Sequence, residues 1–159
     1  MAAGCDYQRQ LLETCRLVAE GAGHANWRLV FQSRSGPPTQ PWLEPDICDY
    51  LRELKGAGAR DVVVAPVGFI SDHMEVLYDL DTEARGLAAE LGLGMRRAAT
   101  VGTHPDFVGM IRELILERMD DAAPRRALGQ FPPRHDFCAT DCCLPGATRP
   151  PAPVESRAG

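Results

Sequence analysis

Four carboxylates, Asp72, Glu75, Asp79 and Glu83, follow one another at intervals of three, four and four residues, directly after the apolar run that ends at Phe69. On a helix those intervals place the side chains along one face. Like charges four apart oppose a helix by about 0.2–0.5 kcal/mol per pair, so the row fits a bound cation better than it fits the helix by itself. Part of it also has a purely structural reading, in which Asp72 caps the helix and Glu75, three residues on, closes a capping box. That box makes no use of Asp79 or Glu83, although acids along a solvated helix face are common. His73, in the same first turn, suits a surface position or the support of a neighbouring ligand.

A second group with chemical potential lies in Cys138-Ala-Thr-Asp-Cys142-Cys143. The surrounding segment has no hydrophobic periodicity, so core packing does not account for three thiols this close together; a metal or a cluster does. Iron–sulfur clusters usually take four cysteines, whereas structural zinc prefers paired spacings or added imidazoles. His135 keeps zinc open. Of the other cysteines, Cys15 falls on the expected buried face of a helix and reads as a small core residue, and Cys5 and Cys48 stand in no motif.

The elements that must position these groups are legible from periodicity. Tyr7 to Ala22 reads as a helix with Leu11, Cys15, Val18 and Ala22 on its inner face, and Trp27 to Ser33 as a strand. Four prolines and a glycine between Arg34 and Pro45 make a stiff loop, after which Asp46 caps a helix carrying Ile47, Leu51 and Leu54 inward. Asp61 to Phe69 is a nearly continuous apolar strand, which indicates burial on both faces, as in a parallel sheet. The acidic helix runs from about Asp72 to Leu91, a short strand covers Met95 to Ala99, and an amphipathic helix starting near Pro105 carries Phe107, Ile111, Leu114 and Ile115. This order predicts an α/β fold: a single doubly wound parallel sheet of about four strands with flanking helices, right-handed crossovers and ligands at the carboxyl ends of the strands. The expected domain spans 1–121. Residues 122–159, rich in Pro, Arg, Ala and Gly, are expected to form an irregular Cys-containing tail.

The chain of 159 residues, 45% of them hydrophobic, has room for one domain with a proper core. Its net charge of −5 argues against a nucleic-acid or anionic-membrane binder. No apolar run approaches the roughly 20 residues that cross a bilayer, and Met1-Ala-Ala-Gly-Cys-Asp lacks the regions of a signal peptide. The expected location is therefore the cytoplasm, where six cysteines imply thiols or metal ligands before disulfides.

Two long stretches in order, Phe31-Gln-Ser-Arg-Ser-Gly-Pro-Pro-Thr-Gln-Pro-Trp-Leu-Glu-Pro45 and Val62-Val-Val-Ala-Pro-Val-Gly-Phe-Ile-Ser-Asp-His-Met-Glu-Val-Leu-Tyr-Asp-Leu-Asp-Thr-Glu83, closely resemble ferrochelatase, which inserts ferrous iron into a porphyrin in haem synthesis. The resemblance covers roughly residues 7 to 120, corresponding to the C-terminal half of that family. Its Gln-Ser-Arg-Ser-Gly-Pro-Pro wording is similar to the actinobacterial branch that uses coproporphyrin. The resemblance implies that Glu75 is the active-site glutamate facing the porphyrin centre, where it binds metal or takes pyrrole protons, and that Asp79 and Glu83 lead outward from it as further metal sites. Carboxylates suit Fe2+, and a four-residue step on an α-helix rises about 6 Å. Trp42 stands where the family has a loop tryptophan against the porphyrin, and also reads as an aromatic that pins its loop. Arg34 suits a porphyrin propionate or anchors the same loop. Cys138, Cys142 and Cys143 resemble the extension in which three cysteines join one from the N-terminal half around a [2Fe–2S] cluster; that fourth ligand has no obvious match here.

The family's catalytic histidine belongs to a Thr-His-Ser-type motif in its first half, and none of His24, His73, His104 or His135 stands in such a motif. The chain therefore reads as one wall of a chelatase site, a fragment or truncated product. Three functional classes follow. As an enzyme, it works with a missing N-terminal half or with a second copy of itself; as a binding module, it holds iron or porphyrin; as a redox or interaction protein, it acts through the cysteine tail.

Overall fold

Asp46 caps the helix Ile47–Gly56. Its backbone is extended and its carboxylate accepts the Cys48 backbone N–H at 2.8 Å, satisfying one of the donors that a helix start leaves unpaired. The computed structural model describes residues 6–33, 39 and 42–137. Its elements in chain order are α1 (Tyr7–Gly21), α2 (Ile47–Gly56), β1 (Asp61–Val64), α3 (Met74–Val76), a π-helical segment (Leu77–Ala84), α4 (Arg85–Glu90), β2 (Gly94–Arg97) and α5 (Pro105–Met119). The chain divides into two compact units, one running Leu29–Phe107 and the other made of what lies on either side of it.

The first unit holds the sheet. β1 and β2 pair in parallel, Asp61 opposite Gly94 and Val64 opposite Arg97, with the acidic helix as the crossover between them. The expected sheet of about four strands is reduced to these two among the described residues. Trp27 to Ser33 contributes a single parallel bridge, Phe31 with Asp46, closed by Phe31 N–H to Pro45 C=O and Ile47 N–H to Phe31 C=O. β1 stops at Val64, because Pro66 offers no N–H and Val67–Gly68 turn away. Burial on both faces does not hold either. Val62 and Val64 are half-buried while Val63, on the other face of the strand, is 77% exposed.

Ile47, Leu51, Val76, Leu80, Ala84, Ala88 and Leu93 form the core. Four of these recur every fourth residue along the acidic helix. In an α-helix a four-residue step runs about 40° past a full turn; in the wider i→i+5 turn it falls short of one. The π segment therefore cancels the drift and keeps Val76, Leu80, Ala84 and Ala88 on one line. Thr82 Oγ1 donates to Leu77 C=O, five residues back, in step with that wider turn.

The second unit contains α1 and most of α5. Glu13 is its buried charge: Arg16 grips both carboxylate oxygens at 2.9 Å, and Gln130 N–H donates to Oε1 at 2.7 Å. Val18, expected on the inner face of α1, is exposed, and the buried positions are Glu13 and Ala19. The ion pair with Arg16 lets a glutamate take an inner position. Residues 122–137 form no helix or strand, yet Glu13 holds Gln130, Arg9 lies over the Phe131 ring at 5.2 Å, and Arg134 meets Asp6 at 3.1 Å.

Candidate functional site

The buried row on the acidic helix fixes where the acids go. Glu75, Asp79 and Glu83 each precede a buried residue, Val76, Leu80 and Ala84, so each sits about 100° round the helix from the core line. That is the flank of the core, not the side opposite it. Asp79 and Glu83 there border a cavity of about 240 Å³ lined also by Gln32, Ser33, Asp46, Ile47 and Cys48. The cavity joins the end of the stretch leading out of Phe31, the start of α2 and the π segment.

Asp79 is oriented from across the cavity. Ser33 Oγ donates to its Oδ2, and Gln32 Nε2 approaches the same oxygen at 3.5 Å. Ser33 holds φ at 61°, in the left-handed region that ordinary side chains avoid, and backbone strain of this kind collects at functional sites. Glu83 lines the cavity with no hydrogen bond to its side chain among the described residues. Glu75 lies one step nearer the helix start, is exposed, and is not among the lining residues.

Asp72 does not belong to the row. It precedes the helix, whose first residue is Met74, and meets Arg97 Nη1 at 2.7 Å. No side chain caps that helix start, so the capping box expected of Asp72 and Glu75 does not form. Arg97, at the end of β2, also binds Asp81 through two nitrogens at 2.9 and 2.8 Å. Those hydrogen bonds hold the Asp81 carboxyl below the usual range against the opposing effect of its burial. Asp81 and Asp72 are thus neutralised inside the fold. His73 packs edge-on against the Phe69 ring, 5.0 Å between centroids, and His135 is exposed.

Cys48 is the cavity residue that periodicity did not single out. Burial pushes its thiol up, the negative charge of Asp46 adds to that, Arg52 opposes it, and Glu83 contributes in the same direction as Asp46. At neutral pH it stands as a thiol in a cavity that Asp46, Asp79 and Glu83 also line. Gln32 and Ser33 carried one usable signal: they end the Trp27–Ser33 run, and ligands of α/β sheets gather beyond carboxyl ends. Trp42 is half-buried in the described part of the proline loop. Arg34, Cys138, Cys142 and Cys143 lie outside the described residues. Among the described residues no three His, Cys, Asp or Glu side chains converge on one point that could hold a metal ion, and no helix is long and apolar enough to cross a membrane.

The ferrochelatase family model matches residues 1–119, from the start of the chain to the last residue of α5. The chain belongs to the ferrochelatase family. A ferrochelatase from Rhodopirellula baltica is 54% identical over 95% of this chain. Coproporphyrin III ferrochelatases from Streptomyces coelicolor and Streptomyces griseus are 52% and 51% identical, each over 94% of it. The match takes in 43% of the Rhodopirellula protein and 42% of each Streptomyces protein, so the chain spans less than half the length of these relatives. The acidic helix, the Gln32–Ser33 segment and the start of α2 all lie within the family match.

Proposed function

We propose that this chain supplies one wall of a chelatase site that inserts Fe2+ into coproporphyrin III, or into protoporphyrin IX, in haem synthesis. The observation that carries the reading is the cavity on which Asp79 and Glu83 converge, in a chain about half identical to coproporphyrin III ferrochelatases. In this proposal Fe2+ is held in turn by Glu83 and Asp79 and passes to Glu75 at the porphyrin face. Insertion forms four Fe–N bonds and releases two pyrrole protons; in this proposal Glu75, which is not among the carboxylates that Arg97 binds, accepts them. Trp42 stacks on the macrocycle, and Arg34 pairs with a propionate. Because the chain spans less than half of its relatives, the reaction needs their remaining part, supplied as an N-terminal half or, less economically, replaced by a second copy of the chain.

The test is iron insertion measured with ferrous iron and coproporphyrin III, first with the purified chain and then with the missing half joined in front of it. Turnover is expected only in the second. In that longer protein, Glu75→Gln should lower kcat by about 10²-fold or more, while Asp79→Asn should act mainly on the iron concentration needed. Full turnover by the chain alone, or an unimpaired Glu75→Gln, would overturn the reading.

We further assign Cys138, Cys142 and Cys143 to a [2Fe–2S] cluster, since three clustered thiols supply three of the four sulfur ligands such a cluster takes. The fourth would come from the part of the family length outside this chain. Anaerobic purification with that part present should give visible absorption that is lost in Cys142→Ser; colourless, zinc-containing protein would sink the assignment. The free thiols of Cys15 and Cys48 suit the reducing cytoplasm, where we place the reaction.

A further inference from the structure

Among the described residues that line the cavity, Cys48 alone carries sulfur. It stands in the first turn of α2, two residues after the Asp46 cap, and shares a space of about 240 Å³ with Asp79 and Glu83 of the π segment. All of these residues belong to the unit Leu29–Phe107. The proposed iron route uses the two acids and leaves the thiol without a part. The acids differ in how free they are. Asp79 is turned to Ser33 Oγ, with Gln32 Nε2 at 3.5 Å from the same oxygen. Glu83 has no hydrogen bond to its side chain among the described residues, and its charge reaches the Cys48 thiol.

Carboxylates by themselves rank divalent ions in the general order of affinity, with Zn2+ above Fe2+. Sulfur widens that gap, because a thiolate is a soft ligand that favours zinc and heavier thiophilic ions. We infer that Cys48 sets the metal preference of this cavity, joining its sulfur to Glu83 to capture thiophilic divalent ions such as Zn2+ and Cd2+ on the route proposed for Fe2+. Capture exchanges a proton for the metal: the S–H bond breaks, a sulfur–metal bond forms and one proton leaves to water, with no change of oxidation state. Cys48, Asp79 and Glu83 do not converge on one point, so the ion has two protein donors and water completes its shell. Such a site delays the wrong metal without closing around it as a structural zinc site does. The inference rests on the proposed function for the route, whereas the capture itself asks only for the cavity.

The probe is Cd2+, added anaerobically to the full chain carrying Cys5→Ser, Cys138→Ser, Cys142→Ser and Cys143→Ser, so that those thiols do not compete. Ultraviolet sulfur-to-cadmium charge transfer is expected, and Cys48→Ser, a substitution of nearly the same size, should abolish it although Cys15 remains in the other unit. Glu83→Gln, which keeps the thiol, should weaken Cd2+ binding about tenfold or more. Charge transfer that survives Cys48→Ser overturns the inference. So does Cd2+ affinity indifferent to Glu83→Gln, which would show a thiol acting without the cavity. The joined protein gives a second readout: Cys48→Ser should raise the Zn2+ concentration that half-inhibits iron insertion about tenfold or more. Cd2+ capture that needs Cys48 and Glu83, in a joined protein that inserts no iron, would count against the chelatase reading and leave this assignment standing. Iron insertion whose inhibition by Zn2+ ignores Cys48→Ser would do the reverse.

Discussion

Arg97 binds two carboxylates at once, Asp72 before the acidic helix and Asp81 in the middle of its π segment. Its side chain is only 11% exposed, so its cation is committed to the fold. This sorts the acids of one short stretch into two kinds: Asp72 and Asp81 are matched internally, and Glu75, Asp79 and Glu83 are left for something else. Replacing Arg97 with Met should cost about 1–3 kcal/mol, the usual penalty for leaving a buried polar partner unmatched, measured as a shift in the urea midpoint at neutral pH. The pH dependence has a definite sign. Asp81 titrates lower in the fold than unfolded, so its pairing stabilises the protein above the ordinary carboxylate range and loses that effect as pH falls through and below it. The deficit of the Met variant should therefore shrink on acidification; a deficit independent of pH would place the role of Arg97 elsewhere. Spacing placed Asp72 in the row because it registers intervals and not the cation that arrives from a strand 25 residues away.

The acidic helix works as an element because its buried line and its acid line have the same four-residue repeat. Among the described residues Leu80 and Val76 are the largest fully buried side chains, and anchoring them leaves the acids no choice of azimuth. Leu80→Ala should destabilise the protein by about 2–5 kcal/mol and, by loosening the helix, separate Asp79 from Ser33; a melting curve together with the iron dependence of the joined enzyme checks both. A loss of stability without any change in iron dependence would show that the acids are held from the cavity side instead. The existence of this helix, its polarity and the cap at Asp46 were all visible in residue types. The π segment was not, since the sequence carries the same four-residue repeat whichever ladder the backbone forms. β1 was overextended for a similar reason: Val67 and Phe69 continue the apolar run, but Pro66 removes the donor that a continuing strand needs.

At the scale of the whole molecule, each of the two units holds a carboxylate that an arginine keeps ionised, Asp81 in one and Glu13 in the other. In the unit containing α1, hydrogen bonds from Arg16 are the largest cause that lowers Glu13 to about 2, with burial opposing and Gln130 assisting. Its contribution to stability is present above the ordinary glutamate value and is lost between that value and about 2. The segment around Gln130 should thus gain amide exchange as pH falls through that window, and Glu13→Gln should remove the transition. Gly129→Ala should release the same contact at any pH, because Gly129 holds φ at 77° and a Cβ there would run into the Glu13 carboxylate. The sequence by itself determined the family, through two long stretches in order, and the helix cap and the parallel pairing of the two strands, which follow from local periodicity and from side chains whose chemistry is their own. Only the tertiary structure decided that Asp72 is spent on Arg97, that Cys48 and Ser33 share a cavity with Asp79 and Glu83, that Val63 in the middle of β1 is exposed, and that the apolar side chains of α5 are exposed too. Those depend on which distant segments meet, which neither residue types nor intervals record.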